Sequence, residues 1–258
     1  MSREEARSAR ARRPRRRVSV IGVFGELLVT AGVLVLLFIA WQNVFNSWYL
    51  NGKQDSAAAQ LSKQWLEQSE STPSSHAPAT GTQTAVGPTA NIPVEKTAPT
   101  YLGAVGVIYV PRFGTDWKRT IREGTDTPVL NSTSAGVGHY ENTAMPGAVG
   151  NFAVAAHDTG YGNTFLHIQN LRVGDKVYIQ TQDGFYTYVF RNYVYVQPNA
   201  VQALQPVPMT DGQKASDRIL TMTTCNPPYH SVERLVAYSV LESFSKTPPA
   251  AIAGAVGQ

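Results

Sequence analysis

The sequence predicts an all-β domain closed into a barrel, with a single apolar helix ahead of it in the chain. Three observations carry this. Short β-branched and aromatic runs recur between residues 103 and 241, separated by turn signals such as Gly174-Asp175 and Asp183-Gly184. Helical signal in that region is confined to short pieces near Asp126–Leu130 and Thr164–Asn170. One stretch, Val18–Trp41, is almost wholly apolar. Closure is the favoured form of such a sheet because it removes exposed strand edges.

At the amino terminus, residues 1–17 hold eight arginines against Glu4 and Glu5, a net +6, so against a total of +4 the rest of the chain carries −2. The basic balance therefore belongs to the tail, and the reading as a nucleic-acid binder loses its support. The apolar run that follows, at about 1.5 Å per helical residue, is long enough for a hydrocarbon core of about 30 Å. Glu26 interrupts it in the first half, where a carboxylate reaching back to the arginine-rich interface costs much less than at mid-bilayer. The competing reading is a cleaved signal peptide. The run exceeds the usual apolar region of one, and Gln42–Tyr49 lacks a small-x-small cleavage site, so an uncleaved anchor is expected over 18–41. Arginine excess before the span puts the amino terminus in the cytoplasm and the remainder outside.

Residues 42–100 are expected to be a juxtamembrane segment and linker. Asp55–Glu70 carries helix formers and weak amphipathicity around Ala58, Leu61, Trp65 and Leu66, which predicts a short helix. Ser71–Thr100 is dominated by Ser, Thr, Pro, Ala and Gly and reads as a flexible tether. The folded domain is placed at 101–245, about 145 residues, a size that suits one core. Its strands are expected at Gly103–Val110, Lys118–Arg122, Asn151–Ala156, Lys176–Thr181, Phe185–Val196, Arg218–Thr224 and Glu233–Leu241. Residues 246–258 form a tail, frayed over Ala250–Gln258.

Three residues stand where chemistry is usually placed. Cys225, the only cysteine, closes the strand Arg218–Thr224 just before Asn226-Pro227-Pro228 stops it, and a lone thiol has no partner for an internal disulfide. His157 closes the small-residue strand 150–156 ahead of a polar turn, and histidine is the usual partner of a cysteine nucleophile. Arg234 opens the next strand, where it can approach Cys225 if the two strands pair. Taken singly, each has an ordinary structural reading: a buried small thiol, a satisfied surface imidazole, half of an ion pair.

Taken together, they resemble a known family. His157, then Thr221-Met222-Thr223-Thr224-Cys225, then Arg234, is similar to the sortases, cysteine transpeptidases that attach proteins to Gram-positive cell walls. The resemblance covers Tyr101–Glu242. Gly136-Val137-Gly138-His139-Tyr140, Pro146-Gly147, Gly150–His157, Asp183-Gly184 with Tyr186 and Tyr188, and Glu233-Arg234-Leu235 are most similar to the actinobacterial class E members, as is Gly25-Glu26-Leu27-Leu28 in the apolar run. Asp158 departs from that pattern, because class E members often carry arginine there.

The resemblance implies an eight-stranded sortase-type barrel and acyl transfer. Cys225 would attack the threonine carbonyl of an LPxTG- or LAxTG-like motif near the carboxyl end of a secreted protein, and a peptidoglycan precursor amine would then replace the thiol. His157 would be the general acid and base, Arg234 the support for the carbonyl or oxyanion, and Thr224 a substrate or oxyanion contact unless its hydroxyl is satisfied by its own backbone. Two other readings use the same sequence: a hydrolytic cysteine peptidase that passes the acyl group to water, and a catalytically silent membrane-tethered barrel that binds wall peptides. No cofactor and no metal is expected. His139, His157, His167 and His230 lack ligand spacing, and the loops flanking the site offer only Glu141 and Asp211 as carboxylates. Expected partners are sorting-signal proteins, the wall amine and the membrane, and the expected location is the cell membrane with the catalytic domain outside.

Overall fold

The computed structural model of the 258-residue chain describes residues 19–41, 45–71, 84–85, 91–95 and 97–258. The arginine-rich tail, residues 1–17, and much of the tether read over Ser71–Thr100 fall outside them. The chain divides into two units, residues 1–43 and 44–258.

The first unit contains one helix, α1 (Val20–Ala40), whose amino end is capped by the Ser19 hydroxyl accepting from Gly22 N at 3.5 Å. By length and composition it can cross a membrane, and none of its residues is buried against protein.

The second unit runs, in chain order, through α2 (Asn46–Ser71), β1 (Thr84–Ala85), β2 (Ala104–Tyr109), β3 (Lys118–Glu123), α3 (Thr127–Leu130), β4 (Val137–His139), β5 (Gly150–Ala155), β6 (Lys176–Thr181), β7 (Gly184–Val196), β8 (Arg218–Asn226) and β9 (Glu233–Ser245). Hydrogen bonding passes from β9 through β7, β6, β2, β3, β4, β5 and β8 and returns to β9, so eight strands close the expected barrel. β1 adds to the end of β9 that lies beyond its pairing with β8, through Thr84↔Phe244 and Ala85↔Ser243. The β3–β4 and β5–β8 pairs are parallel and the others antiparallel. Strand alternation supplies the core. Ile108, Val110, Phe152, Val154, Leu220, Met222, Leu235 and Ala237 join one buried cluster, while the residues between them face the other way.

The expected strands all form, with β6 spanning the residues anticipated for it. β4 was not anticipated. It is three residues long, and its middle residue must be glycine, since a Cβ at Gly138 would stand 2.2 Å from the Gly124 carbonyl oxygen. The expected helical piece over Thr164–Asn170 reduces to a 3-10 turn at Ile168–Asn170.

The segments read as a juxtamembrane helix, a flexible tether and a frayed tail each pack on the barrel. α2 starts nine residues before the predicted Asp55 and buries Ala58 and Trp65 against Val107, Tyr109, Tyr178 and Phe185, on the outward face of β2, β6 and β7. The supposed frayed tail joins the same cluster through Ile252, Ala255 and Val256. Within the tether, Ile92 and Val94 pack against the main core, and the Tyr186 hydroxyl donates to the Pro93 carbonyl at 2.7 Å. Polar contacts fix the seat of α2. The Arg119 guanidinium, 1% exposed, bonds Asp55 and Asn51 of α2 and lies over the Trp117 ring at 5.1 Å. Burial pulls its pKa down and Asp55 opposes that, as expected of a buried cation held by its partner.

If α2 is an integral wall of the domain, Trp65→Ala removes a large buried ring and should cost about 3 kcal/mol, lowering Tm by about 10 °C. A thermal melt with an unchanged midpoint would show that the helix is not seated.

Candidate active site

The β5–β8 ladder sets the site. Its partners run from Gly150↔Arg218 to Ala155↔Thr223, a constant difference of 68 in residue number. The pairing continues past the strand end: Ala156 N donates to the Thr223 carbonyl at 3.2 Å and the Thr224 hydroxyl donates to the Ala156 carbonyl at 2.8 Å. The same register brings His157 level with Cys225. On the other side of β8, Cys225 is the direct partner of Arg234 in β9. Alternation then decides the face. Phe152, Val154 and Ala156 point into the core, as do Leu220 and Met222, and Leu235 and Ala237. His157, Cys225 and Arg234 each fall on the opposite parity and so share the outward face at one end of the barrel, each partly buried.

The connection between β7 and β8 covers the neighbouring part of that face. Ala203 packs on Val236 and Tyr238, and the Asn151 amide donates to the carbonyls of Ala203 and Gln205, both at 3.0 Å. The Thr221 hydroxyl donates in turn to Asn151 Oδ1 at 2.6 Å.

The imidazole of His157 is held from two sides. Its Nε2 donates to Asn131 Oδ1 at 2.8 Å, which leaves Nδ1 as the lone-pair nitrogen of the neutral ring. The Tyr161 ring stands against it with centroids 5.3 Å apart. Burial pulls the His157 pKa below its usual value, and the neighbouring Asp158 carboxylate works the other way. Burial pushes the Cys225 thiol up. Arg234 pulls it back down and Asp158 adds to the rise. Both shifts favour the neutral forms, thiol and imidazole. Asp158 is itself buried, with Oδ1 accepting from Thr159 N at 2.7 Å.

Arg234 Nη1 donates to the Ser231 and Glu233 carbonyls at 3.3 and 3.1 Å, and Asn226 Nδ2 donates to Glu233 Oε1 at 2.5 Å, so the loop between β8 and β9 is tied down beside the thiol. Its guanidinium retains donors for a further group. Thr224 is on the core side of β8, buried, with its hydroxyl used by Ala156, so that hydroxyl braces the two strand ends. Reading along the sequence missed Asn131 and Tyr161. Asn131 ends the short helix α3 inside a polar Asn-Ser-Thr-Ser run that reads as a loop, and nothing local ties it to a histidine 26 residues away. His139 has a structural role, with Nδ1 2.6 Å from Glu123 Oε2 and Nε2 2.9 Å from the Thr143 hydroxyl. Among the described residues no group of three or more His, Cys, Asp or Glu side chains could hold a metal ion.

A family model for the sortase domain matches residues 108–242, more than half of the chain. The chain belongs to the sortase family. Sortase SrtE1 of Streptomyces coelicolor is 31% identical over 245 residues, covering 92% of this chain and 62% of SrtE1, so the chain spans less than two thirds of that relative's length. Among solved structures, sortase E from Streptomyces avermitilis is 38% identical with a TM-score of 0.52, covering 60% of this chain and 99% of that one. Sortase E1 from Streptomyces coelicolor, with a tripeptide in its active site, is 32% identical with a TM-score of 0.52 and covers 58% of this chain and 96% of that one. This sortase is thus similar to class E members, and the closed eight-stranded barrel is the fold they share with it.

The charges around the thiol make a signed prediction. Alkylation of Cys225 by iodoacetamide should rise with pH to a midpoint above the ordinary 9.0, and Asp158→Asn should move that midpoint down, because the carboxylate penalises the thiolate. A wild-type midpoint below the ordinary value, or an upward shift in Asp158→Asn, would contradict the electrostatics described.

Proposed function

We propose that this sortase is a membrane-anchored cysteine transpeptidase that cleaves an LPxTG- or LAxTG-like sorting motif between threonine and glycine and joins the new carboxyl end to a peptidoglycan amine. The observation that carries this reading is the shared register that brings His157 level with Cys225 and makes Arg234 the direct partner of Cys225. The tripeptide in the active site of the Streptomyces coelicolor relative supports a peptide substrate.

In the first half-reaction the thiolate of Cys225 adds to the threonine carbonyl carbon. The carbonyl oxygen gathers negative charge, and Arg234, with donors to spare, stabilises it. The C–N bond to glycine then breaks, its amine takes the proton from the His157 imidazolium, and a thioester remains. In the second half the acceptor amine adds to the thioester carbon, His157 removes its proton, and the C–S bond breaks to return the thiolate. Thiolate and imidazolium together carry the same proton count as the resting thiol and imidazole, so the reactive form is reached by internal proton transfer. Thr224 holds the ends of β5 and β8 together through its bond to Ala156. No metal or cofactor enters any step.

α1 serves as the anchor, with the arginine-rich residues 1–17 in the cytoplasm and the catalytic domain outside the cell. Residues 101–245 carry the chemistry, residues 42–100 connect them to the anchor, and residues 246–258 follow.

Incubation with a sorting-motif peptide, with and without an amine acceptor, tests the reaction. Transpeptidation predicts a thioacyl adduct on Cys225 and amine-dependent product; product that forms equally without amine indicates a peptidase, and no adduct at all indicates a silent barrel. Cys225→Ala should abolish the adduct and turnover at unchanged Tm, and His157→Ala should be nearly as damaging. Arg234→Ala should cost about 10²-fold in kcat, with poor rescue by Arg234→Lys, which lacks the planar fork. For orientation, protease added to cells stripped of wall should cut on the domain side of α1, within Ser71–Thr100; cleavage confined to the amino terminus would reverse the topology.

A further inference from the structure

The structure assigns Gln54 of α2 as a positioning residue for His157, so that the helix leading into the domain sets the geometry of the catalytic imidazole; the inference rests on His157 acting as the acid and base proposed above. Gln54 is fully buried. Its Nε2 donates to the Ser132 carbonyl at 2.8 Å and to the Tyr161 carbonyl at 3.2 Å, reaching 78 and 107 residues along the chain. Those acceptors belong to the two segments that hold the imidazole. Ser132 directly follows Asn131, whose amide oxygen accepts from His157 Nε2, and Tyr161 carries the ring against His157. One amide group thus spans both supports from behind.

The space for that amide is made by leaving side chains out. A Cβ at Gly136 would stand 2.8 Å from Gln54 Nε2, and one at Gly162 would stand 2.5 Å from Gln54 Oε1. Both glycines also have positive φ, +95° and +94°, in the region that side chains rarely adopt. Asn51 and Asp55, on the same turns of α2, fix the helix through Arg119, so Gln54 is held at both its backbone and its head. The energetics point away from a purely stabilising role. Gln54 Oε1 is buried with no hydrogen-bond partner among the described residues, and leaving one acceptor unmet costs about what two donated bonds return. What the amide secures is a distance between two loops.

A loosened imidazole has a readable signature. Burial lowers the His157 pKa and the Asp158 carboxylate opposes it; Asp158 and Tyr161 lie in the loop that Gln54 holds, whereas Cys225 and Arg234 are placed by β8 and β9. The test uses the full chain in detergent micelles, comparing wild type with Gln54→Met, which keeps volume and helix propensity but donates nothing, and Gln54→Glu, which keeps shape but offers acceptors to both carbonyls. Trp65→Ala is the control, because it weakens the docking of the same helix well away from the two loops. The readouts are Tm, kcat and KM for a sorting-motif peptide, and the His157 titration midpoint followed by NMR of the ring Cε1–H.

We expect both Gln54 variants to lose about tenfold in kcat with KM within about twofold, as for a misplaced catalytic group, and their His157 midpoint to rise toward 6.5. Trp65→Ala should lower Tm at least as much without moving the midpoint. Wild-type kcat and midpoint in folded Gln54 variants would overturn the proposal, as would losses in kcat that follow Tm alone along one line with Trp65→Ala. If wild type forms no thioacyl adduct, the transpeptidase reading has failed, and the NMR midpoint still decides whether Gln54 positions His157.

Discussion

The parallel pairing of β5 with β8 is the constraint on which the rest of the molecule depends. It joins segments 68 residues apart, completes the circuit of strands with β9, and carries the histidine and the cysteine as the next residues out along its ladder. Register here has no slack. A slip of one residue would turn Leu220 and Met222 outward and draw Thr221 and Thr223 into the core, so burial of the apolar set and alignment of the site are enforced by the same contacts. A parallel pair needs a long connection between its strands, and β6 and β7 are built within it.

The site gains its electrical character from position more than from partners. Thiol and imidazole are both half-buried, and burial disfavours the charged form of each. Asp158 pushes both pKa values in the same direction, upward, and Arg234 acts on the thiol alone. The acid-base balance is therefore adjustable at two points: the residue after the histidine and the first strand residues of β9.

Much of this was legible in the sequence. β5, β8 and β9 announce themselves by β-branched or small apolar runs that break at polar turns, and the break is what marks His157 and Cys225 as strand-end groups. β4 and β1 were not legible because three and two residues cannot establish a period. The docking of α2 escaped for a different reason. Its apolar contacts, Ala58, Leu61, Trp65 and Leu66, form only a weak stripe, and its seat is fixed by polar groups, Asn51, Gln54 and Asp55, that meet a buried arginine and two backbone carbonyls and follow no period. Ile92, Val94, Ile252 and Val256 likewise anchor short segments with too few apolar residues to stand out from composition. Asn131 and Tyr161 are functional neighbours only because distant loops converge, which periodicity does not encode.

The shared pocket of Trp65 with residues 252–256 bears on the order in which the molecule assembles. The ring of Trp65 packs on groups drawn from β2, β6, β7 and the segment after β9, so its seat spans nearly the whole length of the folded unit. No local subset of the chain can offer that seat in advance, and the loop-closure entropy for contacts of such long sequence separation must be met before any of them is rewarded. The seat of Trp65 therefore exists only once β2, β6, β7 and the segment after β9 have come together.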